Sequence, residues 1–316
     1  MSVRVLAPGL LTTVQDPGRY GWRHLGVGCA GALDAHAHAL ANLLAGNPAD
    51  AATLEITLAG PTLAFEHATR IALCGADLDA RCDGIALPTA RPCLLPAGIT
   101  LALGACRRGA RAYLAVAGGF DVPVVLGSRS TDLRGGFGGI EGRALRKGDV
   151  LPLATRAAGV DTPRAAPWWI DARPEAGPHG AIRVLAGEDT TRPDDALFRH
   201  AWRVAAASDR QGLRLDGDSL RITDARERIS APVSPGTIQL PPDGRPIVLL
   251  ADAQTHGGYP RIGHVIRADW PLLAQLRPGN AVRFAPCTPA DAHAAWHRRR
   301  HQLARLALRI AAAPPL

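Results

Sequence analysis

Apolar and polar residues alternate strictly from Thr53 to Leu58, so that three apolar side chains lie on one face and three polar side chains on the other. This period of two predicts a half-buried β-strand. Eight further short apolar segments, separated by Gly- and Pro-containing turns, predict additional strands. They start at Val3, Arg70, Ile99, Ala112, Ile182, Thr237, Ile247 and Ala281. Many short strands joined by such turns are typical of antiparallel sandwiches and barrels.

Two segments have the spacing of a helix instead. In residues 33–45 the apolar positions recur at helical intervals, and the segment stops at Gly46, a common C-terminal signal. A second helix is predicted to begin at Thr288-Pro289, where an N-cap residue precedes a proline at the first helical position, and to run towards Pro314.

The second helix has two different faces. Trp296, Leu303, Leu306 and Ile310 form an apolar stripe that we expect to dock on the body of the protein or on a partner. The basic run 297–301 is interpreted as a solvated face.

Proline, alanine and glycine are frequent between residues 156 and 180, which predicts a linker. We therefore expect an N-terminal β domain at 1–155, a C-terminal β domain at 181–287, and a C-terminal helix and tail at 288–316. The length of 316 residues agrees with two domains.

Composition places the chain among soluble globular proteins, with 47% hydrophobic and 20% charged residues. No apolar run is long enough to span a bilayer and the start lacks a leader pattern, so we expect a cytoplasmic protein that binds no membrane. The net charge of +8 comes almost entirely from arginine without a dense basic patch, so no nucleic-acid partner is expected. Six cysteines without a CxxC pair are expected to be reduced and mostly buried.

Two familiar binding patterns occur without the sequence context that they need. Gly26 to Gly31 matches GxGxxG, but the polar, glycine-broken segment 19–24 precedes it where a dinucleotide fold needs a buried strand. His36 and His38 are two residues apart and would lie on different faces of a helix, so no metal site is predicted.

Four polar, glycine-flanked segments are the candidates for function, because loops on rigid β scaffolds often hold functional groups. They are residues 13–19, 126–132, 208–212 and 252–260. Each combines a carboxylate or amide with turn residues. Arginine can bind a carboxylate or phosphate through two hydrogen bonds, and aspartate can accept a proton or orient water.

The order of many short segments carries a family resemblance. TVQDPGRYGW, GVGCAGALD, LEITLAGP, YLAVAGGF, LGSRSTDLRGG, GRALRKGD, SDRQGLRL and IQLPPDGRPIVLLADAQTHGGYP occur in the order and at the spacing of the allophanate hydrolase subunit 2 family. This family is also called KipA-like or biotin-dependent carboxyltransferase-like, and it includes the C subunit of 5-oxoprolinases. The chain resembles it from about Val3 to Phe284. It departs from the family at His256, where threonine is more frequent, and at Gln211, where methionine is common.

The resemblance implies a mainly β fold, with two cyclophilin-like β-barrel domains, a few short helices and a C-terminal helix. It also implies one component of a hydrolase that works only as a complex and that opens a small amide or lactam at the expense of ATP. The expected partners are a subunit 1 homologue (the B subunit of 5-oxoprolinase, or KipI-like) and a third protein, the A subunit of 5-oxoprolinase. ATP with Mg²⁺ is expected to be bound by the complex.

We expect the four segments to converge, with partner residues, on one substrate. Asp252 and Asp209 are the candidates for orienting a nucleophile, and His256 is a third catalytic candidate. The candidates for substrate binding are Asp16, Arg19, Arg129, Asp132, Arg210, Gln254 and Tyr259.

Two alternatives stay open. The chain could be a biotin-dependent carboxyltransferase component acting on urea or a similar amide. In that case a separate carrier is needed, because Lys147, the only lysine, lacks the flanking methionine of a biotin attachment site. The other alternative is a KipA-like regulator without enzymatic activity.

Overall fold

The computed structural model describes residues 1–154, 160–174, 176–177, 180–189, 196–221, 229–314 and 316. The chain forms two compact units. Unit 1 consists of residues 1–19, 30–173 and 302–316, and unit 2 of residues 20–29 and 174–301. The predicted linker 156–180 lies partly outside the described residues, and the predicted domain limits stay a prediction.

Unit 1 is built on one large antiparallel sheet that is nearly closed and barrel-like. Its described strands are β1 (Ser2–Ala7), β2 (Leu11–Gln15), β3 (Thr53–Thr57), β4 (Thr62–Phe65), β5 (Thr69–Cys82), β6 (Ile85–Ala86), β7 (Pro92–Leu95), β8 (Ile99–Val116), β9 (Val150–Pro152) and β10 (Arg164–Ala165). The main path runs β10-β7-β5-β8-β4-β1-β9, with β3 between β2 and β8.

The length of β8 explains how the sheet of unit 1 curves. Its first part pairs with β4 and its last part pairs with β3, while β5 follows it from Val116 back to Leu101. The β5–β8 register shifts three times between Gly75 and Ala80. Such bulges bend and twist a strand pair. The concave side encloses an apolar core that includes Leu54, Leu63, Phe65, Ile71, Leu101 and Leu114.

Helix α1 (Ala35–Ala45) covers the other face of β5 and β8. It starts at Asp34, whose carboxylate accepts a hydrogen bond from the amide of Ala37. It ends at Gly46 in the left-handed conformation, whose amide donates to the carbonyls of Asn42 and Leu43. Sequence therefore predicted both ends of this helix to within two residues.

One expectation for β3 was wrong. All five of its residues are buried, including Thr53, Glu55 and Thr57, whereas alternation predicted a half-buried strand. The strand has a neighbour on each side, and its polar face lies below the segment that leads into α1, where the amide of Leu33 donates to Glu55. The polar positions therefore serve buried hydrogen bonds.

Unit 2 contains an eight-stranded sheet and a two-stranded ribbon among its described residues. The strands are β11 (Ile182–Ala186), β12 (Trp202–Val204), β13 (Gly212–Asp216), β14 (Ala231–Pro232), β15 (Thr237–Gln239), β16 (Ile247–Leu249), β17 (His256–Gly257), β18 (Arg261–Val265), β19 (Ala281–Val282) and β20 (Phe284–Pro286). The sheet order is β19-β12-β13-β16-β15-β18-β11-β20, and β14 pairs with β17. Unit 2 also contains two short α-helices, α2 (Ala196–Arg199) and α3 (Trp270–Ala274), and two 3-10 helices, Arg23–Leu25 and Arg267–Asp269.

The C-terminal helix, α4 (Pro289–Ala311), begins as predicted. The hydroxyl of Thr288 accepts from the amide of Asp291, whose carboxylate accepts from the Thr288 amide and hydroxyl. This reciprocal arrangement is a capping box. Three predicted stripe residues, Leu303, Leu306 and Ile310, pack within unit 1 against a cluster that includes α1.

The expectation for the basic run of α4 needs one correction. Arg299 is buried rather than solvated, and its guanidinium donates to the carbonyl of Ala268 at 2.9 Å within unit 2. The charge of the run does not reveal this burial. It follows from helix geometry, because residue 299 lies one turn after the buried Ala295 and so on the same face.

The mainly β fold class is confirmed, with few short helices and a C-terminal helix. The cysteine prediction is also confirmed: all six are free, and five are buried while Cys287 is partly exposed. No helix in the described part of the chain is long and apolar enough to cross a membrane.

Candidate functional site

In unit 1, the carboxylate of Asp16 holds together two of the predicted loops. Its Oδ1 accepts hydrogen bonds from the Ser128 and Ser130 hydroxyls, each at 2.6 Å, and from the amide of Gly18 at 2.8 Å. Its Oδ2 accepts from the amide of Arg129 at 2.6 Å. Asp16 therefore fixes the loop 126–132 beside the end of β2.

These hydrogen bonds set the ionisation of Asp16. Burial raises the pKa of this carboxyl, but the donors from the two serines, Arg129 and Gly18 outweigh it and lower the pKa below its ordinary value. Asp16 is thus an anion throughout the neutral range although it is only 8% exposed.

Arg19 and Asp132 belong to the same loop neighbourhood in unit 1. The guanidinium of Arg19 donates to the carbonyl of Ser130 at 2.6 Å and lies 4.6 Å from the ring centre of Phe137. Asp132 turns the following glycine-rich segment, because its carboxylate accepts from the amides of Arg134 and Gly135. All four predicted groups of unit 1, Asp16, Arg19, Arg129 and Asp132, are therefore brought together by residues 128–137.

A buried polar pair next to this cluster was missed by the sequence reasoning. The hydroxyl of Tyr113 donates to Glu55 at 2.7 Å and accepts from the amide of Asp34 at 2.7 Å. Burial raises the pKa of Tyr113 well above its ordinary value. The ring of His38 meets Tyr113 edge-on at 6.0 Å, and burial lowers the pKa of His38 despite the carboxylates of Asp16 and Glu55.

In unit 2, Arg210 and Asp252 form a buried ion pair. Two hydrogen bonds, of 2.8 and 2.9 Å, join the guanidinium to both carboxylate oxygens. The backbones of the same two segments are also joined, since the amide of Asp252 donates to the carbonyl of Arg210 and the amide of Leu250 to that of Gln211. The pair therefore holds the loop 208–212 beside the start of the loop 252–260.

Next to this pair is a pocket of about 670 Å³ within unit 2. Three predicted site residues line it, Asp209, Gln254 and Tyr259. Asp209 is exposed, and its carboxylate accepts from the amides of Gln211 and Gly212. The pocket also contains residues that the sequence reasoning did not select, among them Arg214 and Gln239, which lie inside strands.

His256 lies apart from the residues that line the pocket. It is exposed on β17, where it is paired with Pro232 of β14, and its Nδ1 is 2.9 Å from the hydroxyl of Thr255. The roles predicted for all ten site residues, and their convergence on one substrate, stay predictions.

Comparison with known proteins decides the family. Residues 25–286 match the family model described as carboxyltransferase domain, subdomain A and B. The chain belongs to the carboxyltransferase domain family. The resemblance drawn from the ordered sequence segments is therefore confirmed.

Two curated proteins are similar over most of the chain. The 5-oxoprolinase C subunit of Escherichia coli is 42% identical over 318 residues, covering 98% of each chain. The 5-oxoprolinase C subunit of Haemophilus influenzae is 36% identical over 276 residues, covering 86% of this chain and 87% of that one.

Among solved structures, the Kluyveromyces lactis urea amidolyase is similar to this chain. It superposes with a TM-score of 0.88 and 30% identity over 96% of this chain. This chain corresponds to only 20% of the length of that solved chain.

Proposed function

We propose that this chain is the C subunit of a 5-oxoprolinase, a complex that opens the lactam ring of 5-oxoproline with the use of ATP. The observation that carries the proposal is the 42% identity to the Escherichia coli 5-oxoprolinase C subunit over nearly the whole of both chains. The relative from Haemophilus influenzae has the same name at 36% identity.

In this proposal the groups of unit 2 have different tasks. Of the residues predicted from the sequence, Asp209, Gln254 and Tyr259 line the pocket and can contact a ligand. Arg210 and Asp252 are committed to each other by two hydrogen bonds, and we assign them a positioning role for the pocket loops. His256 is exposed and outside the pocket lining, so its contribution to catalysis requires contact with a partner or with a ligand that reaches β17.

The unit 1 cluster is assigned a similar division of tasks. Asp16 accepts hydrogen bonds from the backbone of both loops, and Asp132 from the segment that follows it, which suits groups that hold these loops in place. Arg129 is partly exposed, and its guanidinium donates to the carbonyl of Val122 through Nε. Its remaining donors make it the unit 1 group best suited to bind a carboxylate or phosphate.

ATP and Mg²⁺ are assigned to the complex. In the described part of the chain no group of three or more His, Cys, Asp or Glu side chains is placed to hold a metal ion. The described residues therefore form no metal site made by protein side chains alone, and no step of the reaction is derived through a bound Mg²⁺. We propose that the A and B subunits of the complex complete the nucleotide site.

Reconstitution tests the proposed function. The chain is co-expressed with candidate A and B subunits from the same source, and ATP hydrolysis is measured with 5-oxoproline, urea and allophanate in parallel. Of the three compounds, only 5-oxoproline is expected to stimulate ATP hydrolysis. The stimulation should be lost when this chain is left out of the mixture. D209N is expected to lower turnover by at least about tenfold, as for loss of a positioned acid or base. D218N, which removes an exposed carboxylate outside the pocket lining, is the matched control.

A urea carboxyltransferase component is the second candidate, favoured by the TM-score of 0.88 to the urea amidolyase structure. Its identity to this chain is lower, at 30%. Urea-dependent turnover that needs a biotinylated carrier, without a response to 5-oxoproline, would replace the first proposal by this one. Tight association of this chain with the candidate B subunit, without any turnover, would instead favour a KipA-like regulator without enzymatic activity.

A further inference from the structure

The floor of the unit 2 pocket is one face of three neighbouring strands. Gln239 of β15 is paired with Ile247 of β16, and Ile247 is paired with Arg214 of β13. Directly opposed residues in antiparallel strands point to the same side of a sheet. The three side chains therefore form a row, with an amide at one end, an apolar side chain in the middle and a guanidinium at the other end. At about 4.8 Å between strands, the backbones of the two end residues are about 10 Å apart.

Gln239 is the unusual member of this row. It is 1% exposed, and its amide nitrogen has no hydrogen-bond partner among the residues that the structure describes. Its carbonyl oxygen accepts from the amide of Gln254 at 3.4 Å, the long limit for a hydrogen bond. Buried donors are nearly always paired in folded proteins, so this donor beside the pocket is placed to bind an acceptor that enters the pocket.

Arg214 is available at the other end of the row. No carboxylate lies within 4.0 Å of its guanidinium in the described ranges, and its side chain is exposed. Arg245, the other arginine of the pocket, is bound to Asp216 at 3.1 Å. The planar fork of an arginine is suited to bind a carboxylate through two hydrogen bonds.

The pocket also contains acidic side chains, whose carboxylate oxygens can accept further hydrogen bonds. Asp216 is neutralised by Arg245, while Asp209 and Asp243 accept only backbone amides of their own turns within the described residues. A ligand with an N–H group can donate to such an acceptor, whereas a ligand that is anionic all round is repelled by it. The volume of about 670 Å³ suits a small molecule.

We propose that the unit 2 pocket binds a small molecule with an amide at one end and an anionic group at the other, Gln239 and Gln254 contacting the amide and Arg214 the anion. A carboxamide and a cis amide such as a lactam are complementary, since each offers one donor and one acceptor side by side. The ligand takes the place of the long contact between the two glutamines. This inference rests on the proposed function, because 5-oxoproline combines a lactam with a carboxylate.

Three probes separate the two ends of the pocket in a binding experiment on the full chain. L-5-oxoproline has both groups, 2-pyrrolidinone has the lactam alone, and cyclopentanecarboxylate has the carboxylate without the lactam. Binding is measured by isothermal titration and by ligand-observed NMR. The inference requires 5-oxoproline to bind at least about tenfold more tightly than either of the other two.

Substitutions test which residue contacts each end of the ligand. R214Q is expected to weaken the binding of 5-oxoproline by at least about tenfold, because it removes the cation that contacts the carboxylate. The binding of 2-pyrrolidinone, which has no carboxylate, should be unchanged. Q239L is expected to weaken the binding of both 5-oxoproline and 2-pyrrolidinone. G257A is a third variant, because a Cβ at Gly257 would lie 2.6 Å from the Gln239 amide nitrogen and displace it. R283Q, an exposed arginine of unit 2 outside the pocket lining, is the matched control and should bind as the wild type does.

The outcomes separate this inference from the proposed function. If the reconstituted complex opens 5-oxoproline but R214Q and Q239L turn over with unchanged KM, and the chain alone binds no probe, the pocket assignment is wrong and the function stands. Equal binding of all three probes, or a Gln239 donor satisfied by water alone, also overturns the assignment. If the complex does not respond to 5-oxoproline, yet the chain binds it through Arg214, the proposed function fails and the pocket assignment stands.

Discussion

Arg210 and Asp252 face each other through two hydrogen bonds, of 2.8 and 2.9 Å, while each side chain is only 3% exposed. Removing one member of such a buried pair takes two charge-assisted hydrogen bonds from the other, and breaking a buried ion pair typically costs about 3–5 kcal/mol. D252N should therefore lower the free energy of unfolding by about 3 kcal/mol, as measured by urea unfolding followed by circular dichroism.

D216N is the matched control for the ion pair. It breaks the Arg245–Asp216 contact in the same unit, where both side chains are about half exposed, so the expected loss is below about 1 kcal/mol. Equal stability of the two variants would show that Asp252 is not needed to hold the pocket loops.

The hydroxyl of Tyr113 satisfies both Glu55 and the Asp34 amide. Y113F takes one donor from Glu55 and leaves the Asp34 amide without this acceptor, and an unmet buried group costs about 1–3 kcal/mol. The variant should therefore unfold at a clearly lower urea concentration. Y20F, which alters an exposed tyrosine, should not shift the midpoint measurably. Because burial raises the pKa of Tyr113, its phenolate should be absent from the native ultraviolet titration and appear only on unfolding.

Asp16 has a lowered pKa in the folded protein, so it contributes stability above the unfolded aspartate value of about 3.9. That contribution is lost as the pH falls through the lower, folded pKa. The stability difference between wild type and D16N should be largest near neutrality and shrink below about pH 4. Urea midpoints measured from neutral to acidic pH give this difference. S128A, which removes one donor to Asp16, should shift the acid transition upward, and a pH-independent gap would contradict the assignment.

Thiol reactivity follows burial. Burial raises the pKa of Cys82 to about 11 and of Cys93 to about 12, so these thiols should resist a disulfide reagent at mild alkaline pH. Cys287 is only partly buried and should react first. C287S should remove the first labelling phase, and C106S should keep it. Rapid labelling of several thiols in the native protein would be inconsistent with this burial pattern.

Much of the fold was predictable because the main signals are local. Strand segments have a period of two, and α1 and α4 have capping residues that close their own hydrogen bonds. Alternation does not report what covers the polar face, which is why β3 was expected to be half buried although Glu55 lies in the interior. The burial of Arg299 depends in the same way on a distant carbonyl, that of Ala268.

The candidate site was predictable only in part. Loop residues such as Asp209, Gln254 and Tyr259 stood out because glycine and proline flank them, and they do line the pocket. Gln239 and Arg214 lie within strands and looked like ordinary polar positions of a sheet. Their proximity depends on the β13–β16–β15 pairing, which a single sequence does not specify.

Unit 1 takes its residues from three separate stretches of the chain, the last of which starts at Gln302. Leu303, Leu306 and Ile310 cover a cluster that includes Leu40 and Tyr113, which are synthesised much earlier. During translation this apolar surface of unit 1 therefore stays uncovered until residues 303–310 have been synthesised. We expect nascent chains stalled before Gln302 to depend on chaperones, and variants that lack residues 303–310 to expose the same apolar surface.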